Sequence, residues 1–186
     1  MKRNDWSLVN MINEFSATGK VRFGITHGNS FLFKFIEECA KNSDWIDIST
    51  FSLNLAYTES GSIARKLFDL REKKENAGNK LDIRIICGIP TRLDDVLDEI
   101  PITENSILTY IGDYTLNAIV YQLYHEKNDL NHSKMILSEN LAYIGSLNFG
   151  SSKSYETGII IEDSNIIRKI RTDLFDHLVS KSERMA

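Results

Sequence analysis

The 186-residue chain is 42% apolar, 26% charged and 10% aromatic, which suits one globular domain with a real core and excludes a disordered tail or a disulfide-stapled miniprotein. Its 22 Lys and Arg against 26 Asp and Glu leave a formal charge of −4, so the average field attracts neither phosphate nor anionic lipid. Any polyanion must therefore be held by a local basic site. Cys39 and Cys87 lie far apart, without a CxxC or a matched His spacing, and read as buried thiols rather than as a zinc site or a disulfide framework. The basic start, Lys2-Arg3, is followed by Asn10, Asn13 and Glu14 before a signal-peptide apolar core forms, and no apolar run approaches the roughly 20 residues that span a bilayer. These features point to the cytoplasm and to no stable membrane association.

Val21–Ile25 reads as a short strand, and His27-Gly28-Asn29-Ser30 as the loop whose Asn29 or Ser30 caps a helix over Phe31–Lys41. That helix is apolar on more than one face and should be well buried. Trp45–Leu53 alternates as a strand, and a helix follows from Ser60-Gly61-Ser62 to Ala77-Gly78-Asn79. Its Arg65, Lys66, Arg71, Lys73 and Lys74 interleave with Asp69, Glu72 and Glu75, the pattern of a salt-bridged solvent face. Leu81 to Cys87 alternates again and should stop at Gly88-Ile89-Pro90. Thr91–Ile100 is expected as a short amphipathic helix and Ser106–Ile111 as a strand. Leu116, Ile119, Val120, Leu123 and Tyr124 fall at helical spacing.

The last third differs. Lys134–Leu137 and Leu141–Ile144 are apolar strands around the turn Ser138-Glu139-Asn140, Thr157–Ile161 is a third strand, and Asn165–Val179 is a closing helix with Ile166, Ile167, Ile170, Leu174 and Leu178 on one face. Interleaved helices and strands give an α/β class, a mixed, mostly parallel β-sheet flanked by helices on both faces, in a single domain over 1–186.

The chemistry gathers in Asn131-His132-Ser133-Lys134, in Gly145-Ser146-Leu147-Asn148 and in Tyr155-Glu156. Residues two apart on a strand share a face, so His132 and Lys134 set an imidazole beside an ammonium, and the returning hairpin brings Ser146 and Asn148 back toward them. Glu156, on the next strand, is available to accept a hydrogen bond from the imidazole. A nucleophile or general acid, a fixed cation, a hydroxyl and an amide suit a tetrahedral phosphodiester, with Gly145 permitting close backbone approach.

These residues resemble the phospholipase D superfamily, whose signature is HxK, an acidic residue and then GSxN. The resemblance implies a phospholipase D-like fold and metal-independent chemistry without a cofactor. It also implies His132 as a nucleophile that forms a phosphohistidine, Lys134 and Asn148 as a phosphate clamp, Ser146 as a supporting donor and Glu156 as the group orienting the imidazole. The sequence departs from the pattern at Glu139, where the superfamily usually has Asp, and in a hairpin one residue shorter. In that superfamily two HxK motifs meet at one site. His125-Glu126-Lys127 lacks a following apolar strand and a GSxN partner, and reads as a polar helix end. A single usable motif implies a homodimer with a shared active site.

Lys153 is the better-placed basic residue for extra phosphate contact, and Phe149 and Tyr155 flank the same region as base-stacking or core residues. His27 and His177 read as a loop residue and a surface residue. The expected function is that of a phosphodiesterase, a nuclease acting on DNA or RNA and, by analogy, the cutting subunit of a defence or restriction complex. The alternatives are a phospholipid-directed phosphodiesterase and a catalytically weak nucleic-acid-binding dimer.

Overall fold

The computed structural model describes residues 21–27, 30–54, 63–91, 118–123, 131–147, 149 and 155–184. Within these lie β1 (Val21–His27), α1 (Ser30–Lys41), β2 (Trp45–Asn54), α2 (Ile63–Asn76), β3 (Asp82–Thr91), β4 (Ile119–Gln122), β5 (Met135–Leu137), β6 (Ala142–Gly145), β7 (Tyr155–Ile161), α3 (Ser164–Ile170), a π-helical turn (Arg171–Phe175), α4 (Asp176–Lys181) and β8 (Glu183–Arg184). The elements expected at 92–100 and 106–111 fall outside the described residues.

All eight strands form one sheet in the order β1-β7-β6-β5-β2-β3-β4-β8. Only β2–β3 and β3–β4 pair in parallel, while β1–β7, β7–β6, β6–β5, β5–β2 and β4–β8 are antiparallel. The sheet is therefore mixed but not mostly parallel. A parallel pair needs a long crossover, which α2 supplies between β2 and β3, whereas the short connection from β5 to β6 leaves only the antiparallel solution.

Helices pack on both faces. One core joins α1 and α2 to Ile46, Ile48, Ile83, Ile85, Ile136, Tyr143 and Ile160 of the sheet. The other joins Ile167 and Phe175 to Ile86, Met135, Leu137, Ala142 and Ile161. On α1, Phe31, Leu32, Phe35, Ile36 and Cys39 are all buried, as its apolar breadth anticipated. Burial pushes the Cys39 thiol up to about 12. On α2, Arg65 pairs with Asp69 at 2.9 Å and Arg71 with Glu75 at 2.7 Å along the helix as expected, whereas Lys66 reaches Glu37 of α1 at 3.0 Å and Lys74 reaches Asp44 at 3.3 Å.

Three local expectations are corrected. Within the helix-like spacing expected from Leu116 to Tyr124, whose two end residues lie outside the described residues, Ile119–Gln122 is strand β4, with Ile119 opposite Arg84 of β3. A strand covered on both faces reads as a continuous apolar run, and over so short a window periodicity does not separate it from a helix. Strand β3 runs through Gly88-Ile89-Pro90 to Thr91, with Pro90 opposite Leu53; so near a strand end, a missing N–H costs one ladder bond at most. The closing helix is continuous but does not bury one regular stripe. The π turn shifts the helical phase, so that Ile167 and Phe175 are buried while Ile166 and Leu174 are 43% and 42% exposed. Its start is fixed by Asp163, which accepts hydrogen bonds from the Asn165 and Ile166 amides at 3.0 and 3.3 Å.

Candidate active site

The site lies at the end of the sheet where β2 and β3 finish, β5 begins, β6 ends and β7 begins. Residues 131–134 form an irregular segment leading into β5, so His132 and Lys134 are not themselves on the strand. They are nevertheless brought together. The Lys134 Nζ is 3.1 Å from His132 Nδ1 and donates to the His132 carbonyl at 2.7 Å. With Nδ1 engaged, Nε2 is the ring nitrogen left to face a substrate. Phe51 packs beneath both groups, its ring 5.0 Å from the imidazole centroid and 5.6 Å from the Lys134 ammonium.

Lys134 is buried and His132 exposed. Burial lowers the Lys134 ammonium below its usual range, and the nearby charge of Glu156 opposes that shift. Ser146 stands where β6 ends. Its Oγ donates to Glu156 Oε2 at 2.5 Å and accepts from the Thr157 amide at 3.1 Å, while its own amide donates to the Thr157 carbonyl at 3.0 Å. Among the described residues, the hydrogen bond Glu156 accepts thus comes from Ser146, and the imidazole bond is made with Lys134.

Beneath this rim lies Tyr143. Gly145 and Gly158 face each other across β6 and β7, and a Cβ at either would overlap the Tyr143 side chain. The two glycines make the slot that the ring occupies. Among the described residues the buried Tyr143 hydroxyl makes no hydrogen bond. Burial pushes it up to about 12; the neighbouring Leu147 backbone opposes the rise, and the Glu156 charge adds to it.

Other sequence candidates separate here. Asn148 and Lys153 lie outside the described residues, as does His125-Glu126-Lys127. Phe149 is fully buried in the core, whereas Tyr155, beside Glu156, is 71% exposed. His177 is exposed on α4, and His27 ends β1 opposite Tyr155. Glu139 sits in the β5–β6 turn at the opposite end of the sheet, its amide held by Ser43 Oγ at 3.2 Å. A cavity of about 400 Å³ lined by Trp45, Glu139, Asn140, Arg168 and Arg171 lies at that far end, away from the imidazole. Among the described residues, no three His, Cys, Asp or Glu side chains converge as metal ligands, and no helix is long and apolar enough to cross a membrane.

Sequence reasoning passed over Asn131. Its side chain is buried and bonded to β2, β3 and Ser133 at once. The one available signal was the pair of polar residues, Asp47 and Ser49, in a strand that lies centrally in the sheet and therefore has to satisfy them internally.

No protein-family profile matches the sequence, and no curated protein matches it. Solved structures do. The chain is similar to a phospholipase D family member, Nuc from Salmonella typhimurium, at a TM-score of 0.57 and 14% identity over 88% of this chain and 96% of that one. It is similar to NucT from Helicobacter pylori at 0.56 and 13%, over 89% and 99%. It also matches phosphatidylserine synthase from Haemophilus influenzae Rd KW20 at 0.57 and 14%, over 88% of this chain and 39% of that one.

Proposed function

Proceeding from the fold that this chain shares with structures of the phospholipase D superfamily, we propose that it is a single catalytic domain, a metal-independent phosphodiesterase that hydrolyses DNA or RNA through His132. The observation that carries this reading is the imidazole of His132 held against the Lys134 ammonium at 3.1 Å, beside the Ser146–Glu156 pair. In support, Gly145 of the GSxN segment lies against Lys134 of the HxK segment, its amide donating to the Lys134 carbonyl at 3.0 Å.

In the free chain Lys134 sits on Nδ1. A bound phosphodiester draws the ammonium onto its non-bridging oxygens, with Asn148 and Lys153 as further contacts, and releases Nδ1. The neutral ring, which carries its proton on Nε2 while Nδ1 accepts from Lys134, passes that proton through solvent to the released Nδ1, and the unprotonated Nε2 then attacks phosphorus. The N–P bond forms as the P–O bond to the leaving group breaks, and the departing oxygen takes a proton from a second imidazole. Water afterwards attacks the phosphohistidine, giving its proton to that second imidazole and freeing His132. The second imidazole is His132 of an identical chain, since one chain carries one usable motif; two copies about a two-fold axis complete the site. Ser146 holds the Glu156 carboxylate, whose charge sustains the Lys134 ammonium.

The test is incubation of the full chain with labelled single- and double-stranded DNA, RNA and phosphatidylcholine in EDTA, beside His132→Ala. The expected result is cleavage of nucleic acid that survives the chelator and falls by about a thousandfold or more in the variant, the scale for loss of a nucleophile. Wild-type rates in His132→Ala, or loss in EDTA that added Mg²⁺ restores, would overturn the reading. Cleavage confined to phosphatidylcholine would move the substrate to lipid.

A further inference from the structure

We infer that Asn131 is a positioning residue for the imidazole, its buried carboxamide fixing the backbone that carries His132; the inference rests on the reading of His132 as the reacting group. Asn131 is 2% exposed and saturated with hydrogen bonds. Its Nδ2 donates to Ser49 Oγ at 3.1 Å, to the Thr50 carbonyl at 2.9 Å and to the Ile86 carbonyl at 3.3 Å. Its Oδ1 accepts from the Ser133 amide at 3.1 Å and from Ser133 Oγ at 2.6 Å. Ser49 Oγ and Ser133 Oγ close the ring at 2.5 Å. The Asn131 amide donates to the Leu123 carbonyl at 3.1 Å, just beyond β4.

One side chain therefore ties β2 and β3 to the residues on both sides of His132. The exposed imidazole meets Phe51 on one side and the Lys134 ammonium at Nδ1, and whether the ring reaches those contacts depends on the backbone that these anchors fix. Gly88 supplies an independent observation. A Cβ at this position of β3 would lie 2.7 Å from the Asn131 carbonyl oxygen and 3.0 Å from that of Phe51. The absence of a side chain at Gly88 is what lets the segment bearing His132 cross the end of β3 so closely. Two unrelated features of the sequence, a glycine within a strand and a serine in the core of β2, serve the same short segment.

A purely structural knot would raise stability without affecting turnover. Ser43 provides the comparison: it is buried at the far end of the sheet, where its Oγ donates to the Trp45 carbonyl at 2.7 Å and accepts from the Glu139 amide at 3.2 Å. Asn131→Ala, Ser133→Ala and Ser43→Ala are compared in the full chain by thermal unfolding, by kcat and KM on bis(p-nitrophenyl) phosphate, and by the ¹⁵N signals of the His132 ring. Asn131→Ala is expected to lower kcat by about 10- to 100-fold with KM within about twofold, because a misplaced reacting group costs turnover more than binding. It is also expected to alter the His132 ring signals, and Ser133→Ala to do both more weakly. Ser43→Ala should destabilise while moving neither kcat nor those signals. If Asn131→Ala does not fold, Ser133→Ala decides. Unchanged kcat and unchanged ring signals in the folded variants would overturn the inference. A wild-type chain without turnover on any phosphodiester would instead overturn the functional reading, and the ring signals would still decide whether Asn131 positions His132.

Discussion

Tyr143 carries a buried hydroxyl that makes no hydrogen bond among the described residues, directly under the Gly145–Gly158 pair. Removing an unsatisfied buried oxygen relieves its desolvation cost, so Tyr143→Phe is expected to leave stability unchanged or to raise it by about 1 kcal/mol. Chemical unfolding measures this directly, and a loss of stability would show that the oxygen has a partner. A second prediction concerns Lys134, whose ammonium is lowered by burial and sustained by Glu156. For a lysine lowered on folding, the cost of burying the charge is full below the folded-state value and is relieved as pH rises toward the unfolded-state value. Glu156→Gln removes the opposing charge and lowers that folded-state value further. The alkaline limb of the pH–rate profile should move to lower pH, and an unmoved limb would exclude the coupling. The meeting of His132, Lys134, Ser146 and Glu156 was legible in the sequence because two strands and a short turn leave the hairpin little freedom. Asn131 was not, since a lone Asn in a loop carries no pattern and its partner Ser49 lies 82 positions away.

At the scale of elements, β2 shows how an alternating sequence misleads. Ile46 and Ile48 against Asp47 and Ser49 look like one buried and one wetted face, yet β2 is central and Asp47 is 1% exposed. Arg84 grips the Asp47 carboxylate through Nε at 2.7 Å and Nη2 at 2.5 Å, and Arg171 adds Nε at 2.7 Å. Burial alone would lower the Arg84 guanidinium, but Asp47 and Asp176 together hold it well above its usual range. Arg171 also stacks 3.7 Å from the Trp45 ring, so this cluster fastens the π turn to the sheet. Asp47→Ala leaves both guanidinium groups short of their shared anion and should cost about 3 kcal/mol or more. Hydrogen exchange should quicken over Ser164–Lys181 before the rest of the sheet; uniform loss of protection would contradict a local anchoring role. The same cluster helps to explain why the closing helix departs from the expected stripe: Ile167, Ile170 and Leu178 pack inward as expected, while Arg171 turns to Asp47 beside them and Ile166 and Leu174 stay exposed.

The largest scale returns to the single HxK motif. If two chains complete one site, the active species sediments as a dimer, and sedimentation velocity across a dilution series should show activity falling as the dimer dissociates. An active species that remains monomeric throughout would remove the shared site. The α/β class and the helices on both faces followed from the interleaved pattern, but the balance of strand directions did not, because direction is set by which strands become neighbours and not by the strands themselves. β1 makes the point. Its neighbour is β7, and Arg22 and Glu162, 140 positions apart, pair at 3.0 Å across the seam. On the ribosome β1 therefore emerges well before its mate and waits until the chain has been translated through β7, a long-range closure of the kind that slows folding. Glu156 arrives on that same late strand. A nascent chain stalled ahead of it carries both an open sticky margin and an unfinished reaction centre, so the pairing of β1 with β7 and the delivery of Glu156 to the site are one event.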